Sequence, residues 1–538
     1  MPEKDTQVLL IGCGLTGSSS AVFLRQFGIR TLALEQRRTN FPWPRTRMIL
    51  GRSMELYRTA GLEESIRSRA SLFADYPDMA RAESIAGQEW MRTAIEGLDE
   101  ADRYSPSPWA PIDQQRLEPL LREHAVNAGA QIEFGSRLID VNQDDNGVTA
   151  TIVDTATGNT RTIRTDYLVA TDGADSTVRE RLGIRMRGPG TIGHYVNIVW
   201  QGDITGPLRG RRVGLWFLDH PRPGSVLMPQ GDRGRWILMV PHDPATGEKQ
   251  ADFTDERCTE MIRAAVGLPE LPVDLVAMTS EDASPVARLW TVSACVAEEF
   301  RRGRVFLVGD SAHLMPPAGA FGANLGIQDA HNLAWKLALV LRGQAGPGLL
   351  DSYAAERVPV ADATVHAATS HLQVRSEEGG KGNTTGGNLA VIFGYQYRSA
   401  AVVIDDASAP TELELRHPSE LSGHPGTRAP HVSLLRKGEP ISSIDLYVGE
   451  FVLISGPAGE PWVEAARECA AELGVPLSAF RLGQELADPT GTWTRAHRVD
   501  AGGAVLIRPD GFVGWRAARA LPAPKRHVRD ALTRLLAR

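Results

Sequence analysis

A chain of 538 residues exceeds one small core, and at about 150 residues per domain it implies roughly three domains. Its composition, 42% hydrophobic and 23% charged, is that of a globular protein, and no apolar run is long enough to span a bilayer. The formal charge of −7, without a basic block or stripe, argues against nucleic acid as the main partner.

Four scattered cysteines form neither a CxxC nor a zinc pattern, which fits a reducing cytoplasm and predicts no metal site. The opening "MPEKDTQVLLIG" enters a strand almost at once without a leader pattern, so secretion is not expected.

In "QVLLIGCGLTGSSSAVFLRQFGIRTLALEQ", Val8 to Ile11 predict a buried strand, followed by a glycine turn, a helix and a second strand ending at Glu35. Gly12, Gly14 and Gly17 have the G-x-G-x-x-G spacing: a tight turn, close approach to a pyrophosphate, and helix packed on strand. The helix N-terminus offers free N–H groups to phosphate, and Glu35 stands where an acid would bind ribose hydroxyls. This predicts a dinucleotide without deciding between NAD and FAD.

Further on, "YLVATDGADSTVRERLGI" is another buried strand, Tyr167 to Ala170, that ends at Asp172-Gly173 before Ser176 and Arg179. Short strands follow, "HYVNIVWQGDI", "RVGLWFLDH", "GSVLMPQ" and "GRWILMVPH", separated by turn residues. Trp200, Trp216, Phe217 and Trp236 suggest an aromatic-bearing face that could roof a pocket, with ordinary core packing as the competing reading. His194 and Tyr195 are candidates to polarise a phenol, with a structural or surface role as the favoured reading of each.

The third segment is "RVFLVGDSAHLMPPAGAFGANLGIQDAHNLAWKLALVLRG". Its strand, Val305 to Val308, stops at Gly309-Asp310 before a glycine-rich loop and a helix from about Ile327 to Leu341. The acid could hold a polyol chain; taken alone, Asp310 also fits a turn or capping residue. "LLDSYAAERVPV" continues helically to Pro359, and "EEGGKGNTTGGN" has no strand before it and predicts a mobile loop rather than a second phosphate cradle. From about Thr427 strands alternate with helices, and "LIRPDGFVGWR" predicts a hairpin turning at Pro509-Asp510-Gly511.

With three ordered motifs in hand, the chain resembles the group A flavoprotein monooxygenases, the para-hydroxybenzoate hydroxylase and phenol hydroxylase family. Among these it is most like the bacterial aromatic polyketide hydroxylases. The matching residues are Gly12, Gly14, Gly17 and Glu35; Asp172, Gly173, Ser176 and Arg179; and Gly309, Asp310 and His313. The resemblance implies that Arg45 and Arg47 of "PRTRMILGRSMELYRTAGL" and Gln114 of "DQQRLEPLLREHA" lie near the flavin. It also implies that the backbone of Gly322, Ala323 and Asn324 meets the isoalloxazine, and adds Thr16, Gln36, Leu138 and Pro317 to the cofactor set.

The implied fold is α/β, with a Rossmann-type FAD-binding domain in two pieces, 1–185 and 285–372, interrupted by a mixed β-sheet substrate domain, 186–284. A connecting segment with the mobile loop covers 373–427, and a thioredoxin-like domain without CxxC covers 428–538, a structural unit and candidate homodimer contact. The implied chemistry uses non-covalent FAD, NADPH or NADH as transient reductant, and O2. A flavin C4a-hydroperoxide would hydroxylate an aromatic small molecule, a polyketide-derived phenol or quinone. The residues name no catalytic base. Baeyer–Villiger oxidation, epoxidation, a flavin reductase without oxygen insertion, and a non-enzymatic flavin carrier stay open.

Overall fold

The computed structural model describes residues 4–43, 45–95, 100–231, 234–277, 286–376, 387–404, 413–421 and 423–538. The predicted mobile loop falls mainly on residues 377–386, outside the described residues, as does the predicted domain border at 284–285.

One sheet is built on the strand Thr6–Ile11, which runs parallel between Thr31–Glu35 and Thr160–Ala170. Val8, Leu9 and Leu10 are fully buried because helices or loops cover both faces, which explains their unbroken apolar run. The strand Val305–Leu307 pairs parallel with the end of Thr160–Ala170. Segments about 300 residues apart in the chain thus end at one sheet edge, where ligands of open α/β sheets bind.

The second sheet has nine strands, with Met186–Gln201 between Arg235–Pro241 and Ala287–Ala297. It reaches beyond 186–284, taking in Ala287–Ala297, His313–Leu314, and the strands Asp78–Ala82 and Glu89–Ala94 from the N-terminal part. Of the two readings of the aromatics, the tryptophans take the core-packing one. Trp200, Trp216 and Trp236 turn away from the first sheet and pack with Ile262 and Val266 of the helix Asp255–Val266. Strand alternation gives the reason: neighbours Trp216 and Phe217 cannot share a face. The opposite face carries Val199, Ile237, Met228 and Met239, packed with Phe41 and Trp43.

The glycine-rich loop leads into the helix Phe321–Leu341, six residues earlier than predicted and buried over most of its length. The following helix, Asp351–Ser376, runs through Pro359 rather than ending there. C-terminally, four strands lie in the order Leu477–Arg481, Phe451–Ser455, Ala504–Ile507, Val513–Ala517, the first pair parallel and the others antiparallel. The helices Glu460–Leu473 and Pro524–Leu535 pack together there. Among the described residues, no helix is long and apolar enough to cross a membrane.

Candidate active site

The first glycine turn is forced by crowding. A Cβ on Gly12, whose φ is +95°, would stand 2.4 Å from the Thr171 carbonyl oxygen, and one on Gly17 would stand 2.0 Å from the Gly12 carbonyl oxygen. Gly14 caps the helix Leu15–Gln26, and an added Cβ there meets only Glu118 Oε1, at 3.6 Å, so this side of the turn is open. Glu35, at the end of its strand, accepts from the N–H of Cys13 and of Arg37, both at 3.0 Å. It therefore fixes the turn as well as facing the cleft.

A cleft runs along this edge and brings together Gly12, Gly14, Glu35, Gln36, Arg45, Gln114, Leu138, Asp172, Gly173 and Asp310. The Asp310 carboxylate borders it and accepts no hydrogen bond among the described residues. The Asp172 carboxylate, by contrast, accepts from Ser176 Oγ at 2.6 Å and Val178 N at 3.1 Å, capping the short helix Thr177–Arg181. Burial raises its pKa above the ordinary value, and these hydrogen bonds only partly offset it. Arg179 donates to Ser311 O at 3.0 Å and so ties the second motif to the third.

Thr16, Gly17 and Gly309 stand behind the cleft wall rather than in it. Thr16 packs its side chain between Gly309 and Gly326, where an added Cβ on either glycine would meet Thr16 Oγ1 at 2.7 Å. Pro317 precedes the turn that leads into the helix Phe321–Leu341, and Gly322, Ala323 and Asn324 form that helix's first turn; none of the four borders this cleft. The Asn324 side chain is spent inside the protein: it accepts from Leu50 N at 2.9 Å and donates to Met48 O at 3.1 Å and Ala320 O at 2.8 Å. Only its backbone is left for a ligand.

The arginine segment is held by Gln114, whose Oε1 accepts from Thr46 N at 3.3 Å and whose Nε2 donates to Glu118 at 2.7 Å. Arg45 lies 4.2 Å over the Phe41 ring. Arg47 is buried and points elsewhere, donating to the Pro229 carbonyl and to Gln230 Oε1 in the second sheet.

Several cleft residues carry no signal in the sequence. Arg122 reaches Cys13 O at 2.9 Å and Glu118 at 3.3 Å; only the four-residue spacing from Glu118 hints at the pair. Arg37 and Arg288 lie 4.9 Å and 4.7 Å from the centre of the same Phe41 ring as Arg45. Burial lowers the Arg288 pKa, and the charges of Arg45 and Arg37 add to the effect. His194 Nδ1 lies 3.4 Å from Thr291 Oγ1 and Tyr195 stacks on Trp290 at 5.5 Å, and neither borders the cleft.

The donor set suits FAD. An open glycine turn and helix N-terminus offer N–H groups fit for phosphate, Glu35 offers an acceptor fit for ribose hydroxyls, and Asp310 keeps an uncommitted acceptor fit for a polyol. Fold and cleft define a dinucleotide-binding α/β protein whose site is completed from a distant part of the chain. Comparison with known proteins agrees: an FAD binding domain family matches residues 5–368, and an aromatic-ring hydroxylase C-terminal family matches residues 422–538. The chain belongs to the FAD-dependent aromatic monooxygenases of group A.

It is 40% identical to tetracenomycin A2 monooxygenase-dioxygenase of Streptomyces glaucescens, over 100% of this chain and 98% of that one. To 4-methyl-5-nitrocatechol 5-monooxygenase of a Burkholderia species it is 37% identical, over 100% and 98%. A solved ternary complex of aklavinone-11 hydroxylase with FAD and aklavinone superimposes with a TM-score of 0.90 at 35% identity, covering 100% of both chains.

Proposed function

We propose that this enzyme hydroxylates a multi-ring aromatic polyketide, a phenol or quinone, using NADPH or NADH as reductant and O2 as oxidant. The observation that carries the reading is the composite cleft, where Asp310 meets the Gly12–Glu35 turn beneath the second sheet. The tetracenomycin and aklavinone relatives support the substrate class. A monooxygenase-dioxygenase among them favours a second reading, in which more than one oxygen atom enters the product.

When bound, FAD accepts hydride and activates dioxygen. The chain's own part is positional. Gly12 and Gly14 let backbone approach the pyrophosphate, with the N-terminus of Leu15–Gln26 supplying positive potential. Arg37, Arg45 and Arg288 form a cationic cluster at the cleft suited to the phosphates of a passing nicotinamide dinucleotide. Gly322 to Asn324 present backbone to the ring system, and Arg47 closes the gap between the arginine segment and the second sheet against water.

The FAD-binding domain in two pieces, the inserted substrate domain and the C-terminal unit belong to the same proposal. The strand order of that unit supports a thioredoxin-like fold, the lack of CxxC supports a structural rather than a redox role, and a homodimer contact belongs to the same proposal. The four described cysteines are free and buried, which supports a reducing, cytoplasmic setting.

Two outcomes follow. FAD is expected to leave the protein on acid precipitation; flavin retained on the precipitate contradicts a non-covalent site. Arg47→Ala is expected to keep FAD while releasing more peroxide per NAD(P)H oxidised with substrate present, because its two bonds to Pro229 and Gln230 are lost. A variant that stays fully coupled at an unchanged reduction rate removes this role from Arg47.

A further inference from the structure

The turn Arg508-Pro509-Asp510-Gly511 is more than a hairpin end. Arg508, Asp510, Glu356 and Lys336 are all buried, two cations against two anions, between the C-terminal unit and the helices Phe321–Leu341 and Asp351–Ser376. Arg508 holds both Glu356 oxygens, at 2.6 Å and 2.9 Å, and also pairs with Asp510. Lys336 reaches Glu356 at 2.8 Å and Asn332 at 2.8 Å. Buried ion pairs add little net stability over well-packed apolar residues; what they supply is direction, since each bond fixes one group against another. Such a cluster suits register better than adhesion.

Three routes lead from this turn to the loops beside the cleft. The Asp510 carbonyl accepts from Arg52 at 2.6 Å, on the helix that follows Leu50, and Leu50 N donates to Asn324. The Asp510 carboxylate accepts from Trp335 Nε1 at 3.2 Å and Asn332 at 3.4 Å, both on the helix that begins at Phe321. Phe512 stacks on Tyr397 at 4.2 Å, Tyr397 OH accepts from Arg357 at 2.9 Å, Arg357 pairs with Asp329 at 2.6 Å, and Asp329 accepts from Gly309 N at 3.3 Å. The ends of the routes, Gly309 and Asn324, adjoin Asp310 and the first helical turn at Gly322–Ala323.

We propose that the C-terminal unit positions the flavin-facing loops through the buried Arg508–Asp510 turn, with Asp510 as the positioning residue. This rests on the reading that Asp310 and Gly322–Asn324 face the ribityl and ring parts of FAD. The unit then has a part in the reaction without touching substrate or needing cysteines.

The test uses the full chain and FAD itself, with Asp510→Asn, Trp335→Phe and a control, Asp445→Asn. Asp445 also joins the two parts, through Arg58 at 2.6 Å, but on a half-exposed face outside these routes. Asp510→Asn and Trp335→Phe are expected to alter the circular dichroism of the flavin bands and to weaken FAD affinity by roughly two- to thirtyfold. The control is expected to keep the parental values of both even where its melting temperature falls. Trp335→Phe removes the indole N–H and its bond to Asp510 while leaving a smaller aromatic ring in the core, so it tests the route if Asp510→Asn does not fold. Folded variants with parental affinity and parental flavin dichroism overturn the proposal, as does a control that shifts both equally. A parent chain that holds no FAD overturns the functional reading as well, whereas indifferent variants of an FAD-holding parent overturn only this one.

Discussion

Asp329→Ala is expected to destabilise the fold by about 3–5 kcal/mol, the range for stranding a buried charge by removing its partner. Asp329 is fully buried and accepts from His313 Nε2 at 2.6 Å, Arg357 Nε at 2.6 Å and Gly309 N at 3.3 Å. Alanine leaves the Arg357 guanidinium in the core with Tyr397 OH and the Leu325 carbonyl as its remaining partners. Burial pushes the Asp329 carboxyl up, but the charges of Arg357 and His313 pull it down further, so it lies below its ordinary 3.8. A depressed carboxyl contributes stability that is complete above the unfolded pKa and is lost as pH falls through the folded one. The gap between parent and variant should therefore be full at neutral pH and narrow below about pH 4. Denaturant unfolding at several pH values checks this, and a neutral-pH loss under about 1 kcal/mol contradicts the assigned network.

Asp310→Ala is expected to weaken FAD binding by about ten- to a hundredfold, from the roughly 1.5–3 kcal/mol of a charge-assisted hydrogen bond. Its carboxylate borders the cleft and has no partner among the described residues, so the fold gives up nothing when it goes. Glu35→Gln should cost less affinity. Glu35 already accepts from Cys13 and Arg37, and glutamine keeps an oxygen that can hold one of them. Flavin-retention titrations of both variants check the order; equal or reversed losses sink it.

The three motifs were legible because each is local. A tight turn needs Gly12, helix-on-strand packing needs Gly17, and a strand end needs the acid that follows, all within a few residues. Side-chain roles were less legible. Asp172 and Asp310 look alike in sequence, yet one caps a helix and the other stays uncommitted, since only Asp172 has Ser176 four residues on and in reach. Thr16 fills the gap left by two glycines about 300 residues away, which no spacing announces.

Arg288 joins Arg37 and Arg45 only because the second sheet swings back over the first. The strands Asp78–Ala82 and Glu89–Ala94 were missed because they join that sheet from a segment without marked alternation. "RPDG" fits a turn on local chemistry alone, and its ionic cluster depends on helices some 150 residues earlier.

This chain is expected to insert oxygen from O2 into an aromatic polyketide at the expense of NAD(P)H. The direct measurement supplies the purified FAD-bound enzyme with candidate multi-ring phenols and quinones under isotopically labelled dioxygen, following NAD(P)H consumption and product mass together. Substrate-stimulated oxidation is expected, with a product that carries label from dioxygen rather than from water. NAD(P)H oxidised across such a panel with only peroxide formed, or product oxygen drawn from water, contradicts it.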